Sequence, residues 1–337
     1  MSGASVAYYL RPNKHVERHL FVDLLDHVNQ WRPLSKYLYV GFGGIYFEDF
    51  KLLHGHFNMA KMLSIENQEW VYERQKFNVP YGCIQPEQLD SADFVQGLDK
   101  LRTKYKAENI LCWLDYSASA KLPEQLNEIR GLIPKLLPGD ILKVTLPASP
   151  TALASRREDE ADAELHERRL EVLRTRLGTQ FLPEGVAPEQ MNERDYPSVL
   201  TAAFRRAVSQ AMQESVDNVF QPLGSYVYKD MTQIVTFTAI LLRNSEVQDF
   251  LDKTEIAGFE LGGSSWQVLR IDVPDLSLRE KLKLDQIIFT KRGKRKPAAV
   301  QTKMRLKFAP DIDVSRKMID SYIKFYRYYP HYYRVTF

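Results

Sequence analysis

The sequence predicts an α/β protein built around a mostly parallel sheet, with a late helical insertion and a helical C-terminal extension. Three observations carry that prediction. Apolar runs of strand length alternate with helical patterns from residue 14 to residue 147, the signature of βαβ units. After residue 150 the pattern gives way to a strongly charged stretch with interleaved Leu and Ala. Two strand-like runs then flank a polar turn at 225–242, which reads as an antiparallel edge pair.

Residues 14–31 place Val16, Leu20, Phe21, Leu24, Leu25 and Val28 at helical spacing. "YLYVGF" (37–42) reads as the first strand and "EDFKLLHGHF" (48–57) as a helix, weakened by Gly55. "AKMLSIE" (60–66) is a second strand, "EWVYERQKFN" (69–78) a helix and "YGCIQ" (81–85) a short third strand. "DFVQGLDKLRTKYK" (93–106) is a helix and "NILCWLDYS" (109–117) a fourth, buried strand. "PEQLNEIRGLIPKL" (123–136) is a helix whose Pro123 suits the first turn. "GDILKVTLP" (139–147) is the fifth strand. Residues 151–178 predict one long exposed helix, and a second helix lies near 196–220. Residues 275–337 read as mainly helical, with the capping-box spacing at Ser277 and Glu280. The expected organisation is an N-terminal helical segment at 1–35, a domain at 36–244 with a helical insertion at about 150–222, and a C-terminal extension at 245–337.

Bulk properties narrow the function. Lys and Arg number 46 against 43 Asp and Glu, a net charge of +3 that permits a nucleic-acid partner without demanding one. Cys83 and Cys112 are too few for a disulfide framework or a cysteine zinc site and read as reduced core residues. His54 and His56, two apart, diverge on a helix, so no metal site is expected. The first twenty residues lack the apolar core of a signal peptide, and the longest apolar run, "QIVTFTAILL", has only strand length. The expectation is a cytoplasmic protein with no membrane partner.

The glycines at Gly41-Phe42-Gly43-Gly44 stand between a strand and a helix, an arrangement that lets backbone amides approach a cofactor. Glu66 ends the next strand 22 residues after Gly44, where such units place an acid on a ribose diol. The plain alternative is a tight turn with a surface Glu. Asp115 follows the apolar fourth strand, and its plain alternative is a cap on the next helix. Lys143 interrupts the otherwise apolar fifth strand, and a lysine is rarely buried without a partner. It either reaches the surface along its stem or faces a site.

These stretches resemble the class I S-adenosylmethionine-dependent methyltransferases. "YVGFGG" looks like their first motif, "SIE" like the second, "WLDYS" like the fourth-strand motif, and "LLPGDILKVTLP" like the segment entering their fifth strand. The resemblance covers roughly residues 35–150, and the pair at 225–242 fits the family's late antiparallel strands. It implies a Rossmann-like seven-stranded sheet with the methyl donor across the strand ends, held by Gly41, Phe42, Gly43, Gly44, Glu66 and Asp115. Gln85, Glu87 and Asp90 are the alternatives for the adenine amino group. The sequence departs from the family at Tyr39, where an acid is usual, and at Ile45, which replaces a third glycine.

Methyl transfer to a hydroxyl requires the acceptor to be positioned and relieved of its proton, and Asp115 is the leading candidate for that work. Lys14, Asp115 and Lys143 resemble the first three members of the Lys-Asp-Lys-Glu tetrad of the 2′-O-ribose methyltransferases. The fourth is not matched, although Asp230 and Gln233 lie in about the right region. That resemblance implies a nucleic-acid acceptor. The basic run Lys291, Arg292, Lys294, Arg295 and Lys296 is the candidate nucleic-acid contact, with a solvated loop as its alternative. Near the C-terminus, six tyrosines with Phe325 and Phe337 interleave with Lys324, Arg327 and Arg334. This pattern suits either base stacking or, as the favoured reading, a helix docking its aromatic stripe into the core. The expected function is an S-adenosylmethionine-dependent O-methyltransferase with a nucleic-acid or protein acceptor. A methyltransferase-like module without catalysis, and a nucleic-acid-binding protein that uses no donor, stay open.

Overall fold

The computed structural model describes residues 11–262, 265–290, 293–304 and 306–330. They fall into two units. The first takes residues 22–227 and 231–269; the second takes 11–21, 228–230 and the described residues from 270 on.

The first unit is organised by one sheet. Its strands are β1 (Leu38–Gly41), β2 (Lys61–Glu66), β3 (Ile84–Gln88), β4 (Ile110–Asp115), β5 (Ile141–Pro147), β6 (Asn218–Lys229), β7 (Gln233–Arg243) and β8 (Val268–Ile271). The order is β3-β2-β1-β4-β5-β7-β6-β8. Strands β1 to β5 pair in parallel, and β7 runs antiparallel to β5. The seven expected strands are therefore joined by an eighth among the described residues. Because β8 lies beyond β6, the hairpin at 218–243 is not the edge of the sheet as the sequence suggested. Four residues without periodicity gave no signal for β8.

The helices are α1 (Pro12–Trp31), α2 (Glu48–Phe57), α3 (Glu69–Asn78), α4 (Ser91–Tyr105), α5 (Leu122–Leu132), α6 (Asp162–Phe181), α7 (Tyr196–Ala211) and α8 (Val247–Thr254). One face of the sheet packs through Val40, Leu63, Cys112, Leu114, Leu142 and Val144 against α4, α5, α6 and α7. Leu24 of α1 lies against Gly224, where a Cβ would come within 2.8 Å of its Cδ1.

Two helix boundaries differ from expectation. The charged stretch becomes helical only at Asp162, because Pro150 opens a short 3-10 turn and Glu160 binds the Arg168 guanidinium and the Arg157 amide first. Helix α6 is not a free solvated rod either, since Leu165, Leu170, Leu173, Leu177 and Phe181 are buried. Helix α7 stops at Ala211, and residues from Asn218 turn into strand.

The second unit contains α9 (Leu278–Ile288), a two-residue ladder of β9 (Phe289–Thr290) with β10 (Gly293–Lys294), α10 (Pro297–Met304) and α11 (Ile312–Phe325). The capping box at Ser277 and Glu280 is formed. Tyr322 and Tyr329 are buried. Their hydroxyls donate to Asp285 Oδ1 at 2.6 Å and to the Pro274 carbonyl at 2.9 Å. This part of the aromatic stripe docks into the unit's core; Tyr332, Tyr333, Arg334 and Phe337 lie outside the described residues. No helix among the described residues is long and apolar enough to cross a membrane.

Candidate active site

Strand order reverses between β1 and β4: the chain builds outward to β3 on one side and to β5 on the other. Open α/β sheets bind ligands outside the carboxyl ends of the strands at such a switch point. Gly41, the last residue of β1, pairs with Ser64 of β2 and with Trp113 of β4. Two residues beyond these partners the neighbouring strands end in Glu66 and Asp115. The topology thus sets a carboxylate on each side of the glycine turn.

The turn is shaped by side chains beneath it. A Cβ on Gly41 would lie 2.6 Å from the Tyr39 hydroxyl, and one on Gly43 would lie 2.6 Å from Ser64 Oγ and 2.8 Å from the Phe47 ring. Gly44 has φ 53°, a left-handed conformation that favours glycine. The turn closes when the Phe47 amide donates to the Gly43 carbonyl at 3.0 Å. The Gly43 amide itself donates to Ser64 Oγ (3.1 Å), which donates to Gln75 Oε1 (3.0 Å). Ser64 and Gln75 are fully buried, and Gln75 Nε2 has no partner among the described residues.

Tyr39 replaces the usual acid, and the structure shows what it does. It is fully buried and donates to Asp49 Oδ2 at 2.6 Å, tying β1 to the first turn of α2. Burial, and then the Asp49 carboxylate, push its hydroxyl well above the ordinary range, so it stays protonated.

Glu66 is half-buried, and its carboxylate accepts the Gln68 amide at 2.8 Å. Burial raises its pKa, and the Gln68 and Asn67 amides pull the other way. Asp90 caps α4 by accepting the Asp93 amide at 2.8 Å, Glu87 binds Lys104 at 2.5 Å, and the Gln85 amide reaches the Gly82 carbonyl. All three adenine candidates therefore have local partners.

Asp115 ends β4, and the following Tyr116 is locked to α5 by donating to Glu128 at 2.7 Å. Lys143 does not reach the surface. It is fully buried, pairs in register with Trp113, and holds its ammonium 3.9 Å from the Trp113 ring centroid, a cation–π contact. The Trp113 indole in turn donates to Thr145 Oγ1 at 2.9 Å. Asp115 pairs with Thr145, so Lys143 and Asp115 share one face of the sheet, one pleat apart.

Lys14 belongs to the second unit, where its backbone amide donates to Asp230 Oδ2 at 2.9 Å and that of Asn13 donates to Oδ1 at 3.0 Å. Asp230 thereby caps α1. Gln233 donates to the carbonyls of Ala148 and Glu193. Of the basic run, Lys294 and Lys296 are exposed, while Arg295 Nε donates to the Ile287 carbonyl at the end of α9. Lys291 and Arg292 lie outside the described residues. Among the described residues no cluster of His, Cys, Asp and Glu could hold a metal ion.

Sequence reasoning missed Asp49, Ser64 and Gln75. The available signals were a tyrosine in an acid's place and a serine inside the apolar run "MLSIE".

No curated protein matches the chain in sequence. Solved structures resemble it loosely. Trm1 from Pyrococcus horikoshii, in complex with S-adenosyl-L-methionine, is 11% identical over 91% of this chain and 93% of its own, with TM-score 0.38. A SAM-dependent methyltransferase from Anabaena variabilis is 12% identical over 69% and 87%, with TM-score 0.36. The N-methyltransferase NodS from Bradyrhizobium japonicum is 13% identical over 68% and 97%, with TM-score 0.33. A family described as "Putative O-methyltransferase" matches residues 6–337, and the chain belongs to that family.

Proposed function

We propose that the protein transfers a methyl group from S-adenosylmethionine to a hydroxyl of a nucleic acid, a ribose 2′-oxygen being the acceptor that the Lys14, Asp115 and Lys143 pattern favours. The observation that carries the donor reading is the placement of Glu66 and Asp115 at strand ends on either side of the glycine turn. The residues fit the donor. Glu66 supplies a half-buried carboxylate for the ribose diol, and the turn at Gly41, Phe42, Gly43 and Gly44 supplies backbone groups for the methionine end. Asp90, whose capping bond engages Oδ1, is the adenine candidate. When bound, S-adenosylmethionine supplies an activated methyl group.

The chain's own part is to orient the acceptor and take its proton. Asp115 does this at the end of β4. The buried Lys143 places positive charge one pleat below it, positioned by the Trp113 ring. Lys14 is retained from the sequence pattern alone. One observation favours a second reading, a module of this fold that binds no donor: the Gly43 amide already serves Ser64.

Calorimetric titration with S-adenosylhomocysteine separates the two. Saturable binding is expected for the enzyme, and no heat at millimolar ligand selects the module. Given binding, Asp115→Asn is expected to lose turnover on RNA by at least a hundredfold with a much smaller loss of donor affinity. Near-normal turnover removes Asp115 from the chemistry.

A further inference from the structure

The chain's small net charge conceals a strong segregation. Residues 270–337 hold 17 lysines and arginines against seven aspartates and glutamates, a net of +10, so residues 1–269 carry −7. Four of the seven acids of this segment have local partners, and Asp320 lies near enough to Lys324 to act on its charge. Glu280 closes the capping box of α9, Asp285 accepts from Lys281 and Tyr322, Asp311 caps α11, and Asp313 pairs with Arg316. The surplus of ten basic residues in this segment favours a polyanionic partner.

The second unit also shows where aromatic surface meets that charge. The β9–β10 ladder sets Phe289 directly opposite Lys294. Phe289 is 40% exposed, and its ring lies 5.1 Å from that of Tyr326 at 61°. The Lys294 ammonium lies 5.7 Å from the Tyr326 centroid. Lys324 and Arg327, both exposed, flank Tyr326 in the chain. An exposed ring with a lysine across the ladder and further basic residues beside its aromatic neighbour in the chain suits a stacked base with its phosphates. A duplex offers no free base face, and an anionic lipid surface makes no use of stacking.

We propose that this face of the C-terminal unit binds single-stranded nucleic acid, stacking a base on Phe289 and meeting phosphates with Lys294, Lys324 and Arg327. Binding here needs no methyl donor. It deepens the reading of the chain as a nucleic-acid methyltransferase and rests on that reading only for its biological purpose.

The test is fluorescence anisotropy of the full chain with a labelled single-stranded RNA across a salt series, with melting curves to verify folding. The triple variant Lys294→Ala, Lys324→Ala, Arg327→Ala is expected to flatten the slope of log affinity against log salt by about two, since each phosphate contact on a single strand contributes roughly 0.7. Phe289→Ala is expected to weaken binding about tenfold or more without changing the slope, and Phe289→Tyr to retain affinity. A folded triple variant with the wild-type slope overturns the proposal. So does a folded Phe289→Ala variant with wild-type affinity, or equal affinity for duplex. Sedimentation with phosphatidylserine vesicles but no RNA binding replaces the nucleic acid with a membrane surface. Titration of the wild type with S-adenosylhomocysteine reports the methyltransferase reading separately, so either can fail alone.

Discussion

Replacing Glu66 by glutamine should move stability and donor affinity in opposite directions. The carboxylate is half-buried, and burial is the largest influence on it, raising its pKa above the ordinary carboxylate range against the pull of the Gln68 and Asn67 amides. A folded-state pKa raised above the unfolded value means that stability falls as pH rises from the unfolded pKa, near 4.3 for Glu, through the folded one. Glutamine keeps the shape and an oxygen to accept the Gln68 amide but cannot ionise. The free Glu66→Gln protein should therefore melt at or above the wild-type temperature at pH 7. The difference should vanish below about pH 4, where the native carboxyl is neutral as well. Donor affinity should change the other way. A hydrogen bond to a charged group is worth about 1.5–3 kcal/mol, so the dissociation constant for S-adenosylhomocysteine should rise roughly 10- to 150-fold. Calorimetry at pH 7 and melting curves from pH 4 to 8 measure both. A variant that is less stable at every pH with unchanged donor affinity would show that Glu66 is a structural carboxylate, and the reasoning fails.

Two further substitutions probe the frame. Asp140→Ala removes a fully buried carboxylate that accepts from Arg102 at 2.6 Å and from the Ile110 and Leu137 amides at 2.8 Å. It should destabilise the fold by about 3–5 kcal/mol in urea titrations, and a loss under 1 kcal/mol would contradict the assignment. Gly43→Ala drives a Cβ against Ser64 Oγ and the Phe47 ring and should cost about 1–3 kcal/mol. Adding Ser64→Ala should return part of that loss, and strictly additive losses in the double variant would reject the contact.

How much of this was legible depends on the range of the interactions involved. The ends of α2 and α3 coincide with the stretches read as helices, because each lies between strand-like runs that punctuate it. Glu66 and Asp115 stood out because an acid at the end of an apolar run is visible locally. Lys143 was visible as an anomaly, but its resolution was not: the Trp113 ring that receives its ammonium comes from another strand. Asp49, Ser64 and Gln75 act only once α2, β2 and α3 are laid beside the glycine turn, and no periodicity encodes that. The charged stretch at 151–178 misled because alternating charge hides an apolar face of period 3.6 beneath it.

The Asp140 network and the glycine turn occupy opposite rims of one sheet. Asp140 stands just before β5 and holds the amide that opens β4; Glu66 and Asp115 stand where β2 and β4 finish. A strand of six residues separates the rims by about 20 Å, beyond the range at which substitutions usually couple. Substitutions in the Asp140 network should therefore add nearly independently to substitutions at the glycine turn. A lineage can accumulate repairs at one rim while exploring new acceptors at the other, and a laboratory selection can raise tolerance to mutation first and alter specificity afterwards.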